Sequence, residues 1–232
     1  GSLTVSKATT VEAQNIAEVV ANQVLGGFEV EAKGEAVSVA SMVFNVTLTG
    51  STASASDSVG QLDDIDNVSL VDANCSVVAG PVDAAYTSIT AQTTGTITFT
   101  DTVTFPIGKG TYTLKGQLGS NFVNDQTIVI NTDPDGDWTS VTGQTTGNAI
   151  TPAPTTAVTS NTMTMKAGSA VIYTSASPVA QNIVAGAQGF VFANFQIDAT
   201  ASGEDVRFTS LVLNNTVLDG TGTKTSERQT GC

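Results

Sequence analysis

Apolar and polar residues alternate with a period of two along much of the chain. The alternation is plainest in TITFTDTVTF, with Ile97, Phe99, Val103 and Phe105, in TYTLKG, with Tyr112 and Leu114, and in FEVEA, with Phe28, Val30 and Ala32. A strand sends successive side chains to opposite faces, so each run predicts a half-buried strand. Turn signals such as PIGKG, GSN and DPDGD separate the runs at the short intervals of a sandwich or barrel. Helical periodicity is nearly missing. Its best candidate, VEAQNIAEVVANQVL from Val11 to Leu25, has a later counterpart, PVAQNIVAGAQGFVF, that carries two glycines and makes a poor helix. Taken together the pair reads as strand and loop. The expectation is an all-β chain folded as an antiparallel β-sandwich of Ig-like or Greek-key type, with Val30, Val39, Phe44, Phe99, Phe105, Tyr112 and Leu114 on its buried side.

The chain repeats itself. Ala13-Gln14-Asn15-Ile16 returns as Ala180-Gln181-Asn182-Ile183, and Gly34-Glu35 as Gly203-Glu204, which brings Phe28 onto Phe195 and Val30 onto Ile197. Agreement over about 40 residues at a nearly constant offset marks an internal repeat. Both copies also slip phase at one place: Val37 and Val39 give way to Met42 and Phe44, and Val206 and Phe208 to Leu211 and Leu213. A one-residue slip sends later side chains to the wrong face unless a residue is absorbed, so a bulge or a sheet-crossing bend is expected near Ser41 and Ser210.

These features divide the chain into a complete sandwich over residues 1–154, a linker over 155–162 that ends the Pro/Thr-rich stretch from Asn148 to Thr162, and a partial second sandwich over 163–232. The second copy lacks counterparts of the later strands, so Ile197, Val206, Phe208, Leu211 and Leu213 are expected to present an open apolar face. Two explanations stay open: the chain belongs to a longer tandem protein, or a neighbouring copy supplies the missing strands and makes a head-to-tail homopolymer.

Composition narrows the functional classes. Only 12% of residues are charged, and 8 Lys plus Arg face 21 Asp plus Glu, a net charge of -13. That field repels phosphate backbones, which argues against nucleic acid as a partner. No apolar run reaches the roughly 20 residues of a transmembrane helix. The chain has no histidine, which removes Ser-His-Asp and Cys-His machinery and the usual zinc sites. Cys75 and Cys232 are too few for a disulfide framework. Paired carboxylates for general acid work need one buried member, and the cluster Asp63, Asp64, Asp66 lies in a polar loop. A non-catalytic role is expected.

The sharpest chemical motif is NTDPDGDW, where Asp133, Asp135 and Asp137 alternate around a Pro and a Gly. Alternating carboxylates in a tight loop can converge on one hard cation, which makes this the candidate calcium loop. Against that, the glycine is early and no Glu closes the loop, as an EF-hand requires, and a solvated Pro-Asp-Gly turn gives the same sequence. The Asn-X-Ser/Thr matches at Asn45, Asn67, Asn74 and Asn214 carry little weight in so Thr-rich a chain.

The repeated AQNI and GE.V segments, IDNVSLVDAN, and TVTFPIGKGTYTLKG together resemble the tandem β-sandwich repeats of large bacterial cell-surface and S-layer-like proteins. The resemblance covers essentially the whole chain. It departs from the pattern in the short second copy and in Cys75, which stands where a plain turn residue is expected. It implies a non-catalytic, extracellular building block that self-associates into a layer or filament at the cell surface. The competing class is an adhesin that recognises carbohydrate or protein through loops at one end of the sandwich.

Overall fold

The alternating runs become strands in the computed structural model, which describes residues 1–50, 60–88, 92–203, 205–218 and 224–230. Glu204 and Cys232, named above, lie outside the described residues. Strands β1 (Ser2–Lys7), β2 (Gln14–Ile16), β3 (Gln23–Lys33), β4 (Val37–Val39) and β5 (Ser41–Thr49) precede one 3-10 turn at Leu62–Asp64. There follow β6 (Ile65–Val71), β7 (Val77–Val82), β8 (Ala85–Tyr86), β9 (Thr94–Phe99), β10 (Val103–Phe105) and β11 (Gly108–Leu118). Strand β12 (Thr127–Thr132) leads through a single helical turn, α1 (Pro134–Asp137), to β13 (Trp138–Thr139), β14 (Thr142–Gly143), β15 (Val158–Thr159) and β16 (Met163–Met165). Two hairpins come last: β17 (Val171–Thr174) with β18 (Phe195–Asp198), and β19 (Val212–Leu218) with β20 (Lys224–Thr230). The Val11–Leu25 segment is strand and loop, as its pairing with the later copy predicts.

One sheet runs β1-β3-β11-β6-β7, and a second runs β2-β16-β12-β5-β9-β8, with β13 on β5 and β15 on β12. A small sheet, β10-β4-β14, closes one end. The pairings between named strands are antiparallel except that of β16 with β2. The seven side chains expected inside are buried. Aromatic rings join the two sheets: Phe44 on β5 lies 5.4 Å from Phe28 on β3, 5.9 Å from Phe99 and 6.2 Å from Trp138. Phe105 stacks on Trp138 at 5.7 Å and meets Tyr112 edge-on at 5.0 Å. Such tilted and offset pairs add to the hydrophobic stabilisation of burying the rings.

The phase slip near Ser41 is a change of sheet. Strand β4 belongs to the small sheet and β5 to the second large one, with Ala40 between them donating its N–H to Thr139 O at 3.1 Å. Both halves of the phrase therefore bury their apolar residues, although the parity changes. At the corresponding place in the later copy, residues 205–211 form no regular element and the strand begins at Val212. Partners equivalent to β10 and β14, which hold β4, are not found beside that segment among the described residues.

The segment read as a linker is packed against the sandwich. Val158 and Thr159 pair with Thr132 and Asn131 on β12, and Ser160 N donates to Ile130 O at 2.8 Å. Beyond it, Met163 and Met165 are fully buried between β12 and β2. Lys166 N then donates to Ile16 O at 2.9 Å, so the first sandwich draws on the chain as far as residue 166. Thr and Val suit a strand edge as well as an extended linker, and composition alone does not separate the two.

Candidate functional site

In the Asp133 loop, Asp133 is the residue before α1 and receives the N–H of Asp137 on its carbonyl. Asp137 turns inward: its Oδ2 accepts from Asn45 Nδ2 at 2.8 Å and from Asp133 N at 2.7 Å. Asp135 is exposed. The loop thus spends one carboxylate on fastening α1 to β5, and the Asn45 side chain is occupied in the same contact. Asp133 Oδ1 is buried without a hydrogen-bond partner. Among the described residues no group of three or more Asp, Glu or Cys side chains converges as a metal site. Replacing Asp137 with Ala strips an acceptor from two donors and is expected to cost on the order of 1–3 kcal/mol, read by urea denaturation.

The Asp63, Asp64, Asp66 cluster is not the polar loop expected: Asp63 and Asp64 close the 3-10 turn, and Asp66 is half-buried on β6, because the chain enters the first sheet already at Ile65. Asp64 Oδ2 accepts from Gln61 N at 2.9 Å, and Asp83 Oδ1 from Asn67 N at 2.9 Å. Burial pushes the Asp66 carboxyl above its ordinary range, with Asp83, Asp64 and Asp63 adding repulsion in that order. Residues of that kind mark a crowded negative corner of the fold.

Sequence reasoning found the Gly34-Glu35 phrase but not what the carboxylate does. Glu35 is almost fully buried and gathers Thr145 N, Thr146 N and Thr146 Oγ1, each at 2.8 Å. The amine of Gly1 lies 3.2 Å from its Oε1. The Thr146 N–H and hydroxyl, followed by the Thr145 N–H and the amine, outweigh burial and hold its pKa at about 2, against an ordinary 4.5. A depressed carboxyl pKa contributes stability that is fully present above pH 4.5 and is lost as pH falls through about 2. The Glu35→Gln variant should therefore melt below the parent at pH 7, and the gap should close as pH approaches 2. Its threonine partners stand so far along the chain that they leave no local sequence signal.

The later copy carries the most exposed apolar structure. In the first hairpin Val5 pairs with Val30 and Lys7 with Phe28; in the second Ile172 pairs with Ile197 and Thr174 with Phe195. One constant offset relates every position, carrying Thr4 to Val171 at one end and Glu31 to Asp198 at the other, so the two hairpins share one register. Their surroundings differ. Val5, Phe28 and Val30 are at most 3% exposed, whereas Ile172, Phe195 and Ile197 are 47%, 47% and 49% exposed. Strand β3 is flanked by β1 and β11, while β18 has a single neighbour, β17, among the described residues. Phe208, Leu211 and Leu213 are exposed as expected, and Val206 is half-buried. The foot of this copy meets the first sandwich at Gly203, where a Cβ would collide with the carbonyl oxygens of Lys166 and Ile16.

Cys75 is exposed, in the turn between β6 and β7. Asp72 Oδ1 accepts from Asn74 N at 2.8 Å and Ser76 N at 2.9 Å, which leaves Cys75 at φ +63°. Left-handed backbone costs a non-glycine residue about 1–2 kcal/mol, and glycine returns about 0.4–1 kcal/mol through the unfolded chain. Cys75→Gly is expected to stabilise the protein slightly, seen as a rise in Tm. A shallow cleft lined by Val11, Glu12, Gln14, Thr113 and Lys115 lies on the outer side of the first sheet. No helix of the described chain is long and apolar enough to cross a membrane. No protein-family model and no curated protein sequence matches the chain.

Proposed function

We propose that the protein is a non-catalytic, extracellular structural unit of a cell-surface layer or filament, and that it self-associates through its later, partial repeat. The observation that carries this reading is the β17–β18 hairpin, which keeps the register of β1–β3 yet leaves its apolar side chains about half exposed. Exposed apolar faces and free strand edges are the features that association covers. The surface between donor and acceptor differs on the two sides, so the contact need not close and favours open filaments or sheets. The lack of histidine and the local use of the acidic clusters in hydrogen bonding fit a scaffold. Electron microscopy of the purified protein tests the reading: ordered filaments or lattices are expected, and a dispersed monomer at high concentration would sink it.

Two subordinate readings each have one observation in their favour. The cleft over Thr113 and Lys115 suits an adhesin, which would stay monomeric and bind a ligand there. The unpartnered Asp133 Oδ1 suits a calcium ion in the Asp133, Asp135, Asp137 loop. Calcium bound only to the folded loop raises Tm by mass action, so melting curves with chelator and with millimolar calcium decide that point.

A further inference from the structure

The chain enters the first sandwich at one end and leaves it at the other. Ser2 pairs with Lys33, at the close of β3, and the Gly1 amine lies there beside Glu35. At the opposite end Ala17 N donates to the Gln23 side chain, at the opening of β3, and Lys166 N donates to Ile16 O at 2.9 Å. Entry and exit are therefore separated by about the length of β3, whose 11 residues span roughly 35 Å. Strand β1 runs inward from the entry, and β16 runs outward to the exit, where Met165 pairs with Ile16.

Both strands are gripped on two sides. All 6 residues of β1 pair with β3, and on its other side Val5 N donates to Ala153 O at 2.7 Å and Ala153 N to Leu3 O at 2.9 Å. Strand β16 lies between β12 and β2, Met165 N donates to Gln126 O at 2.7 Å, and Lys166 is ion-paired with Asp125. The backbone bonds of an antiparallel ladder lie across the strands. Tension between entry and exit acts along β1 and β16, so their bonds must break together rather than one after another. The buried side chains of Leu3, Val5, Met163 and Met165 must leave the core in the same step.

We infer that the first sandwich is a tension-bearing unit, in which β1 and β16 are the two ends of a clamp loaded in shear. The later copy has no such clamp among the described residues, since β17 and β18 have only each other as neighbours. This inference rests on the structural-unit reading, because tension reaches the sandwich only when both its ends are tied into an assembly.

Single-molecule pulling of the full chain in two directions tests it. Tags at the two termini load β1 and β16 along their length, and the unfolding of the sandwich is recognised by a release that matches residues 1–166 at roughly 3.3–3.6 Å per residue. An N-terminal tag with Cys75, in a Cys232→Ser chain, loads the first sheet crosswise, because exposed Cys75 lies in the turn between β6 and β7, at the margin opposite β1. Strand β1 then peels from its Ser2 end. At one pulling speed the terminal direction should need at least about twofold more force, since forced unfolding is set by the barrier and several ladder bonds break there in one step. The late hairpins should yield before the sandwich. Equal force in the two directions, or less force in the terminal one, overturns the inference. Because the force is read on isolated molecules, that result leaves self-association standing. A full chain that stays monomeric and keeps the directional difference removes self-association and leaves the clamp.

Discussion

Phe44→Ala is expected to cost about 3–5 kcal/mol, the range for deleting a buried aromatic side chain from a packed core. Phe44 is 1% exposed and its ring is the one that touches Phe28, Phe99 and Trp138 together. Its removal opens a cavity between the two sheets that neither can close, because Phe28 is held by pairing on both sides of β3 and Phe99 by the ladder to β5. The loss should appear as a lower urea midpoint with an unchanged slope, since the surface exposed on unfolding stays nearly the same. A cost under about 1 kcal/mol would mean that the sheets are not joined through this ring.

The second large effect belongs to Gly80, on β7. Its φ is +91°, and a Cβ there would lie 2.6 Å from Val68 O and 2.9 Å from the ring of Phe99. The position is closed twice, by backbone conformation and by the neighbouring strand. Left-handed strain of about 1–2 kcal/mol and overpacking of about 1–3 kcal/mol together give roughly 2–5 kcal/mol for Gly80→Ala. Thermal unfolding of the variant checks this. Gly108 offers a control: its φ of +113° is equally unsuited to alanine, but no atom lies within 4 Å of the Cβ position, so only the backbone share should be lost.

Local alternation made the strands legible. The runs from Ile97 to Phe105 and from Tyr112 to Leu114 announce their buried face within a few positions, and the parity change around Ser41 announced the passage of the chain between sheets. The repeat was legible because its residues recur at a nearly constant offset, and the pairings of β1 with β3 and of β17 with β18 follow the offset of its earlier part. Other features depend on residues far apart in sequence. Thr, Ser and Asn between 155 and 162, just after Pro152 and Pro154, have the composition of a linker, and only the free edge of β12 makes Val158–Thr159 a strand. Met-Thr-Met at 163–165 alternates too briefly to be distinguished from the start of another unit, yet both methionines close the first core. Glu35 is a surface-type residue on composition, and its burial is made possible by Thr145 and Thr146. In the Asp133 loop, the alternation of acids was legible but the contact of Asp137 with Asn45 was not, because the two stand 92 residues apart.

The central claim is that the later repeat drives association. Sedimentation velocity over a range of concentrations, run on the full chain and on residues 1–167, tests it most directly. The shorter chain keeps every pairing of the first sandwich through Lys166 N to Ile16 O. The account predicts concentration-dependent, open-ended association of the full chain and a single monomeric boundary for residues 1–167. Equal association of the two chains, or a monomeric full chain throughout, would contradict it.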